Sequence, residues 1–289
     1  MAKKMTRVKY QKMKRRQRLR LRKWVIVVIF LVFLTIFLLS SSKMLGWFND
    51  SKKSNKVKET VLEKTKITEK KDTVDTLYVN YDKSQDSDYF RYIKMSLLEV
   101  DFNDLLNTNK DTVAWLNVSG TNINYPVVQT NDNSYYLSHA FDKTQNKAGW
   151  VFMDYRNDAN IFDQNTIIYA HSRYDGTMFG SLRTILTSSW YKNKDNYIIR
   201  MSTPKENTMW QIFSAYTIPK ESYYITPNFK SNDDYATFLK TIKDRSEEEF
   251  SGTVNTNDKI LTLSTCKDNF GNRVVMHAKL IKKEIRSKA

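Results

Sequence analysis

Three residue types in this chain could combine into covalent catalysis. Cys266 is the single cysteine in 289 residues and closes the run Leu261-Thr262-Leu263-Ser264-Thr265-Cys266; Arg273 comes seven residues later. A free cysteine is more often an inert buried side chain than a reagent, but a place at the end of an alternating, strand-like run, not within an apolar one, is unusual for packing and makes the neighbouring residues decisive. Only a few per cent of an unperturbed thiol is thiolate at neutral pH, so a working cysteine needs a base nearby. The chain has three histidines, at 139, 171 and 277.

Residues 260–265 and 273–281 read as two strands joined by the polar, Gly-containing stretch 267–272, the pattern of a β-hairpin with a longer loop. Symmetric pairing sets Cys266 opposite Arg273, with Cβ atoms roughly 5 Å apart. The same register sets His277 opposite Thr262, about 13 Å down the ladder at about 3.3 Å per residue. His277 is therefore expected to be a structural histidine of the sheet. His171 ends the run Asn165-Thr166-Ile167-Ile168-Tyr169-Ala170 and opens into the loop Ser-Arg-Tyr-Asp-Gly, whereas His139 lies among aromatics in Tyr-Tyr-Leu-Ser-His-Ala-Phe. A strand-to-loop exit is where scaffolds present catalytic groups, which favours His171 and leaves His139 as the alternative.

These stretches, with Arg273-Val-Val-Met-His-Ala-Lys-Leu, Tyr125-Pro-Val-Val-Gln and Asp132-Asn-Ser-Tyr-Tyr-Leu, together resemble a class B sortase over roughly residues 85 to 285. The resemblance implies Cys266 as nucleophile, His171 as acid/base and Arg273 as support for substrate and oxyanion. It implies Asn133, Leu137 and Ser264 as substrate-lining positions. Asp268 matches an acidic position of the class but also reads as an exposed loop aspartate. Two features depart from the class: Ala170 stands where glycine is usual before the histidine, and the loop from Cys266 to Arg273 is short. The implied activity is membrane-anchored transpeptidation. A sorting motif of Asn-Pro-x-Thr type in secreted proteins is cleaved through a Cys thioester, and the acyl group passes to a peptidoglycan amine. The alternatives are a pilin-polymerising sortase, a cysteine peptidase or peptidoglycan hydrolase, and a tethered binding domain with a buried cysteine.

The rest of the chain must carry and place this machinery. Residues 1–23 hold twelve Lys or Arg and no Asp or Glu, so of the net charge of +16 only +4 belongs to the remainder. Such an arm could bind nucleic acid. The segment after it points to a lipid bilayer instead, with no nucleic-acid partner: residues 24–39 are apolar apart from Thr35 and are extended by Ser40, Ser41 and Ser42. Together they approach the ~20 residues that span a bilayer core, and no small-x-small cleavage site stands close behind them. The expectation is a cytoplasmic basic arm (1–23), a signal anchor (24–42), a polar spacer (43–86) and an extracytoplasmic catalytic domain (87–289). The spacer lacks apolar positions for sustained heptads or a core of its own. A lone cysteine outside the cell forms no internal disulfide. The sequence holds no metal-ligand cluster of usual spacing and no glycine-rich phosphate loop, so no cofactor is expected.

Within the domain, Tyr89, Tyr92, Ile93, Leu97, Leu98, Phe102 and Leu105 recur at three and four, predicting an amphipathic helix or two short ones. Strands are expected at 113–118, 122–129, 149–153, 166–170, 197–201 and 209–218, and a short helix at 178–186. A longer helix is expected at 232–250, capped by Asn232 with Asp233 and Asp234 at its positive end. Many short strands with few helices predict an α+β fold built on a closed or nearly closed β-barrel. The resemblance implies the sortase barrel of about seven to eight strands, with an N-terminal helical addition and a helix before the catalytic strand.

Overall fold

The computed structural model describes residues 7–80, 86–266 and 271–286. The chain divides into two compact units, Met1–Asp50 and Ser51–Ala289. The first is helical: it holds most of α1 (Arg7–Lys64), whose apolar residues from Trp24 to Leu39 are almost all exposed. By length and composition this is the one helix among the described residues fit to cross a membrane.

The second unit is an α+β domain around a closed barrel of eight strands. In chain order these are β4 (Thr112–Val118), β5 (Asn124–Val128), β6 (Phe152–Met153), β7 (Asn165–His171), β8 (Ile198–Ser202), β9 (Glu206–Pro219), β10 (Ile260–Cys266) and β11 (Asn272–Ile285). Around the barrel the order is β4-β5-β6-β7-β10-β11-β9-β8 and back to β4. Two neighbouring pairs, β5/β6 and β7/β10, are parallel; the others are antiparallel. Strand β7 is buried from Asn165 to Ala170, the near-continuous run expected of a strand with a parallel neighbour inside a covered sheet. The two longest strands, β9 and β11, slip register between His277 and Ala278 and between Leu280 and Lys282. Such bulges bend and twist a long hairpin so that a sheet can close.

Before the barrel come β1 (Ile67–Lys70), β2 (Thr76–Tyr78), α2 (Ser87–Tyr92), β3 (Leu97–Val100) and α3 (Asn103–Thr108). The leading helical pattern at 89–105 therefore resolves into two short helices with a strand between them. That strand exists because β1, some thirty residues earlier, pairs with it antiparallel, a partner that no local periodicity reveals. Strand β2 extends the main sheet along the far end of β11. Much of the stretch read from composition as a spacer thus contributes secondary structure to the second unit from Ser51 onward. The helix expected at 178–186 is a single 3-10 turn, Gly180–Thr184. Between this turn and β8 lies α4 (Ser188–Tyr191), four residues long.

Helix α5 (Asn232–Asp244) is shorter than the 232–250 pattern, and its cap is Ser231, whose Oγ accepts from Asp234 N at 3.1 Å. Its Tyr235, Phe238, Leu239 and Ile242 form one buried stripe. With Phe213, Tyr216, Tyr224, Ile260 and Val275 they make a second apolar cluster beside the larger core. Helix α5 thereby packs against β9, β10 and β11.

Candidate active site

The parallel pairing of β7 and β10 builds the site. It runs in register from Ile260–Asn165 to Cys266–His171, so the last residue of each strand is the other's partner. Adjacent strands lie about 4.8 Å apart. A hairpin-based reading alone does not find this neighbour, because two segments about a hundred residues apart make the pair. The hairpin behaves as expected up to a point: Thr262 pairs with His277 and Ser264 with Val275. There the ladder stops. Val274 N–H is taken by the Thr265 hydroxyl at 2.9 Å, and on its other side Arg273 pairs with Ile218 of β9.

His171 is held by its backbone strand and by its ring. Nε2 lies 2.8 Å from the carbonyl oxygen of Leu137. A carbonyl only accepts, so Nε2 carries the proton and Nδ1 offers its lone pair in the neutral ring. Burial lowers the pKa of His171 and the charge of Arg173 adds to this, against the opposing hydrogen bond to Leu137. The ring is thereby biased towards the neutral base. The turn that supplies Leu137 is the 3-10 segment Tyr135–Leu137, and it approaches His171 closely because residue 149 is glycine. Gly149 has φ +61°, and a Cβ there would stand 2.5 Å from Tyr136 O and 3.0 Å from His171 Cδ2.

A groove of about 340 Å³ opens beside this pair, lined by Asn133, Leu137, Phe152, Tyr169, His171, Ile225 and Arg273. Its walls are mostly apolar and its polar groups few, the usual character of a small binding cleft. Asn133 is fixed by accepting from Tyr155 N through Oδ1 at 3.0 Å. Arg273 donates from Nη1 to the Tyr224 hydroxyl at 3.1 Å, while its Nε–H is buried without a hydrogen-bond partner among the described residues. A buried donor without a partner costs roughly 1–3 kcal/mol, so its retention in a groove needs a reason, and a ligand oxygen supplies one.

Of the residues read from sequence, His171, Arg273, Asn133 and Leu137 converge on the groove, and the backbone of Cys266 is paired beside that of His171. Ser264 does not line it. Ser264 is fully buried, with its hydroxyl 3.1 Å from that of Tyr224, one bond removed from Arg273. Asp268 lies outside the described residues. His139 stands apart: its ring stacks on Tyr135 at 4.0 Å and Nδ1 donates to Tyr135 O at 2.8 Å. His277 is wholly buried in the barrel wall, as its register implies. Among the described residues no group of three or more His, Cys, Asp or Glu could hold a metal ion.

Three lining residues escaped the reading of motifs. Tyr169 had a signal, since it precedes His171 by two on one strand and so shares its face. Its hydroxyl donates to Asp154 Oδ2 at 2.8 Å. Asp154 is fully buried, and burial alone would raise its pKa. The two-pronged Arg156 at 2.9 and 2.7 Å, together with Tyr169, outweighs burial and holds it below the ordinary carboxylate range. The second prong's Nη2 also donates to the carbonyl of Ile225 at 2.8 Å, linking the Tyr169–Asp154 pair to a second lining residue. Phe152 and Ile225 carry no comparable mark in the sequence.

With this geometry in place, comparison with known proteins is direct. The Sortase domain family matches residues 116–281. Sortase B of Staphylococcus aureus (strain NCTC 8325 / PS 47) is 38% identical over 184 residues, covering 63% of this chain and 75% of that protein. A solved sortase B complexed with triglycine has a TM-score of 0.59 at 38% identity, over 63% of this chain and 85% of that one. A Staphylococcus aureus sortase B–substrate complex gives TM-score 0.59 at 38% identity, over 63% and 84%.

Proposed function

The chain belongs to the sortase family, as a class B cysteine transpeptidase, and from that premise we propose that Cys266, His171 and Arg273 carry the reaction. The observation that supports this most is the pairing of Cys266 with His171 at the ends of β7 and β10, beside a groove walled by Arg273. In the first half-reaction Nδ1 of His171 takes the thiol proton as sulfur attacks the carbonyl carbon of the scissile peptide bond. The carbonyl π electrons move to oxygen, and the Arg273 guanidinium donates to that oxyanion or to an adjoining substrate carbonyl. Collapse breaks the C–N bond; His171 passes its proton to the leaving amine, and a thioester remains. In the second half-reaction an amine attacks the thioester, His171 takes its proton, and the Cys266 thiolate departs as the new amide forms.

The donor on this reading is a secreted protein with a carboxyl-terminal sorting signal of Asn-Pro-x-Thr type, laid against Asn133 and Leu137. The acceptor is an amine of a peptidoglycan precursor. Both are supported by likeness: one solved relative is a substrate complex and another carries triglycine. The apolar stretch of α1 anchors the enzyme in the cell membrane, with the basic arm in the cytoplasm and the catalytic domain outside. An apolar helix with twelve preceding cationic residues fits that orientation.

The test incubates the full chain in detergent with Asn-Pro-x-Thr and Leu-Pro-x-Thr-Gly peptides, with and without triglycine, and reads products by mass. The expected result is a joined Asn-Pro-x-Thr–triglycine product and a thioester adduct on Cys266. Hydrolysis alone in the presence of triglycine, or turnover by Cys266→Ala, would overturn the reading. Topology is tested by adding protease to intact protoplasts, which should release a fragment containing Cys266; release of nothing contradicts the orientation.

A further inference from the structure

Residues 51–64 are dense in Lys and Glu and look like a tether, yet one face of this helical segment is docked. Ser51, Ser54 and Val61 are buried, as is Thr65 just past the helix end, and Val57 and Leu62 pack on the larger core. Positions 51, 54, 58, 61 and 65 recur at three and four and form a single stripe. The stripe combines two serines, a lysine stem, a valine and a threonine, which is why hydrophobic periodicity does not register it.

At its leading end the stripe meets the loop that leaves His171. That loop is closed on itself: Phe179 N donates to His171 O at 3.0 Å, and Ser172 bridges to Met178. Gly180 passes so close under Arg173 that a Cβ there would stand 2.1 Å from its carbonyl oxygen. The helix meets the loop directly at Ser51 and, through Tyr125, indirectly at Lys58. Ser51 Oγ donates to Asp175 Oδ2 at 2.6 Å and accepts from Arg173 Nη2, whose guanidinium is itself 3.4 Å from Asp175. Seven residues on, Lys58 donates to Asn122 O at 3.0 Å and lies 4.1 Å above the ring of Tyr125. The Tyr125 hydroxyl accepts from Met178 N at 3.0 Å, the residue that closes the loop.

We propose that residues 51–64 are a positioning element for His171: Ser51 and Lys58 clamp the loop on its carboxyl side. The inference rests on His171 being the acid/base. The ring then has three restraints, the β7 ladder, the Leu137 carbonyl and the clamped loop, and loss of the third lets the imidazole drift from the end of β10. A displacement of about an ångström in a reacting group can cost on the order of a hundredfold in rate.

The test uses the full chain in detergent micelles. Ser51→Ala, Lys58→Met and the double variant are compared with wild type for acylation by an Asn-Pro-x-Thr peptide, with Lys58→Arg as the conservative control and His171→Ala alongside. The double variant should lose about tenfold in kcat with KM unchanged and a melting temperature close to wild type, and Lys58→Arg should retain the rate. Wild-type kcat in the double variant, or kcat, KM and melting temperature falling together without recovery in Lys58→Arg, overturns the positioning role. Should His171→Ala acylate at the wild-type rate, the acid/base reading itself falls, and the inference with it. An inactive His171→Ala beside an unaffected double variant sinks the inference alone.

Discussion

Two rungs of the same three strands hold the two histidines that matter here, and they are opposites. On the lower rung Thr262 of β10 sits between Ile167 of β7 and His277 of β11; four residues up, Cys266 sits beside His171 at the open end. The Thr262 hydroxyl donates to Asn165 Oδ1 at 2.6 Å, so it accepts from His277 Nδ1 at 2.8 Å, which leaves Nε2 to accept from the Tyr216 hydroxyl at 2.8 Å. Both ring nitrogens are satisfied by a neutral imidazole, and total burial drives the pKa of His277 down to about 3. On the upper rung one nitrogen of His171 is bound by a backbone carbonyl and the other keeps its lone pair. On the proposed reading His171 serves as the reagent because, among the described residues, its second nitrogen has no hydrogen-bond partner, while both nitrogens of His277 are used up in the wall.

The largest expected effects break the upper rung. Cys266→Ala should abolish thioester formation by mass, and His171→Ala should lower single-turnover acylation by about 10² to 10⁴, the usual worth of a positioned acid/base. A His277→Gln variant as inactive as His171→Ala would reverse the assignment of the two rungs. Next in size is Arg273→Lys, on the upper end of the strand that carries His277. A planar guanidinium donates along fixed directions that an ammonium cannot copy. If Arg273 serves the oxyanion, kcat falls by about 10² to 10³ with the fold intact. Acylation within a factor of about three of wild type would reduce Arg273 to a general positive charge.

The lower rung makes a prediction in stability. The folded pKa of His277 is about 3, and an unfolded histidine titrates near ~6.5. Between these values the unfolded chain binds the extra proton, so the contribution of His277 is complete above ~6.5 and is lost as pH falls towards 3. Relative to His277→Gln, wild-type stability should fall by about 1.4 kcal/mol per pH unit through that window. At neutral pH the variant should keep most of its activity. Parallel denaturation curves at each pH measure this, and a pH-independent difference would show that His277 is accessible to protons in the folded state. The smallest effect belongs to His139→Gln. With one nitrogen bound to Tyr135 O and its ring lying on Tyr135, it should acylate within about threefold of wild type; a larger loss would add the third histidine to the site.

Patterns within one segment were legible without a structure. The thiol at a strand end, the hairpin register that sets His277 against Thr262, the stripe of α5 and the apolar run of α1 all arise from local periodicity. Motif resemblance named Asn133 and Leu137, which line the groove, and Ser264, which lies buried beneath it in contact with the hydroxyl of Tyr224. The Asn232 cap missed by one residue, since Ser231 and Asn232 are both able acceptors and only backbone geometry separates them.

By itself, then, the sequence determined which side chains could react and on which strand ends they sit, because alternation and turn chemistry are properties of neighbours along the chain. Only the tertiary structure decided that β7 lies parallel to β10, that Arg156 pairs with Asp154 beside the groove, and that Ser51 meets the loop after His171 while Lys58 meets Asn122. Each of these joins segments far apart in sequence through hydrogen bonds and packing, and such contacts leave no period within either segment to be read.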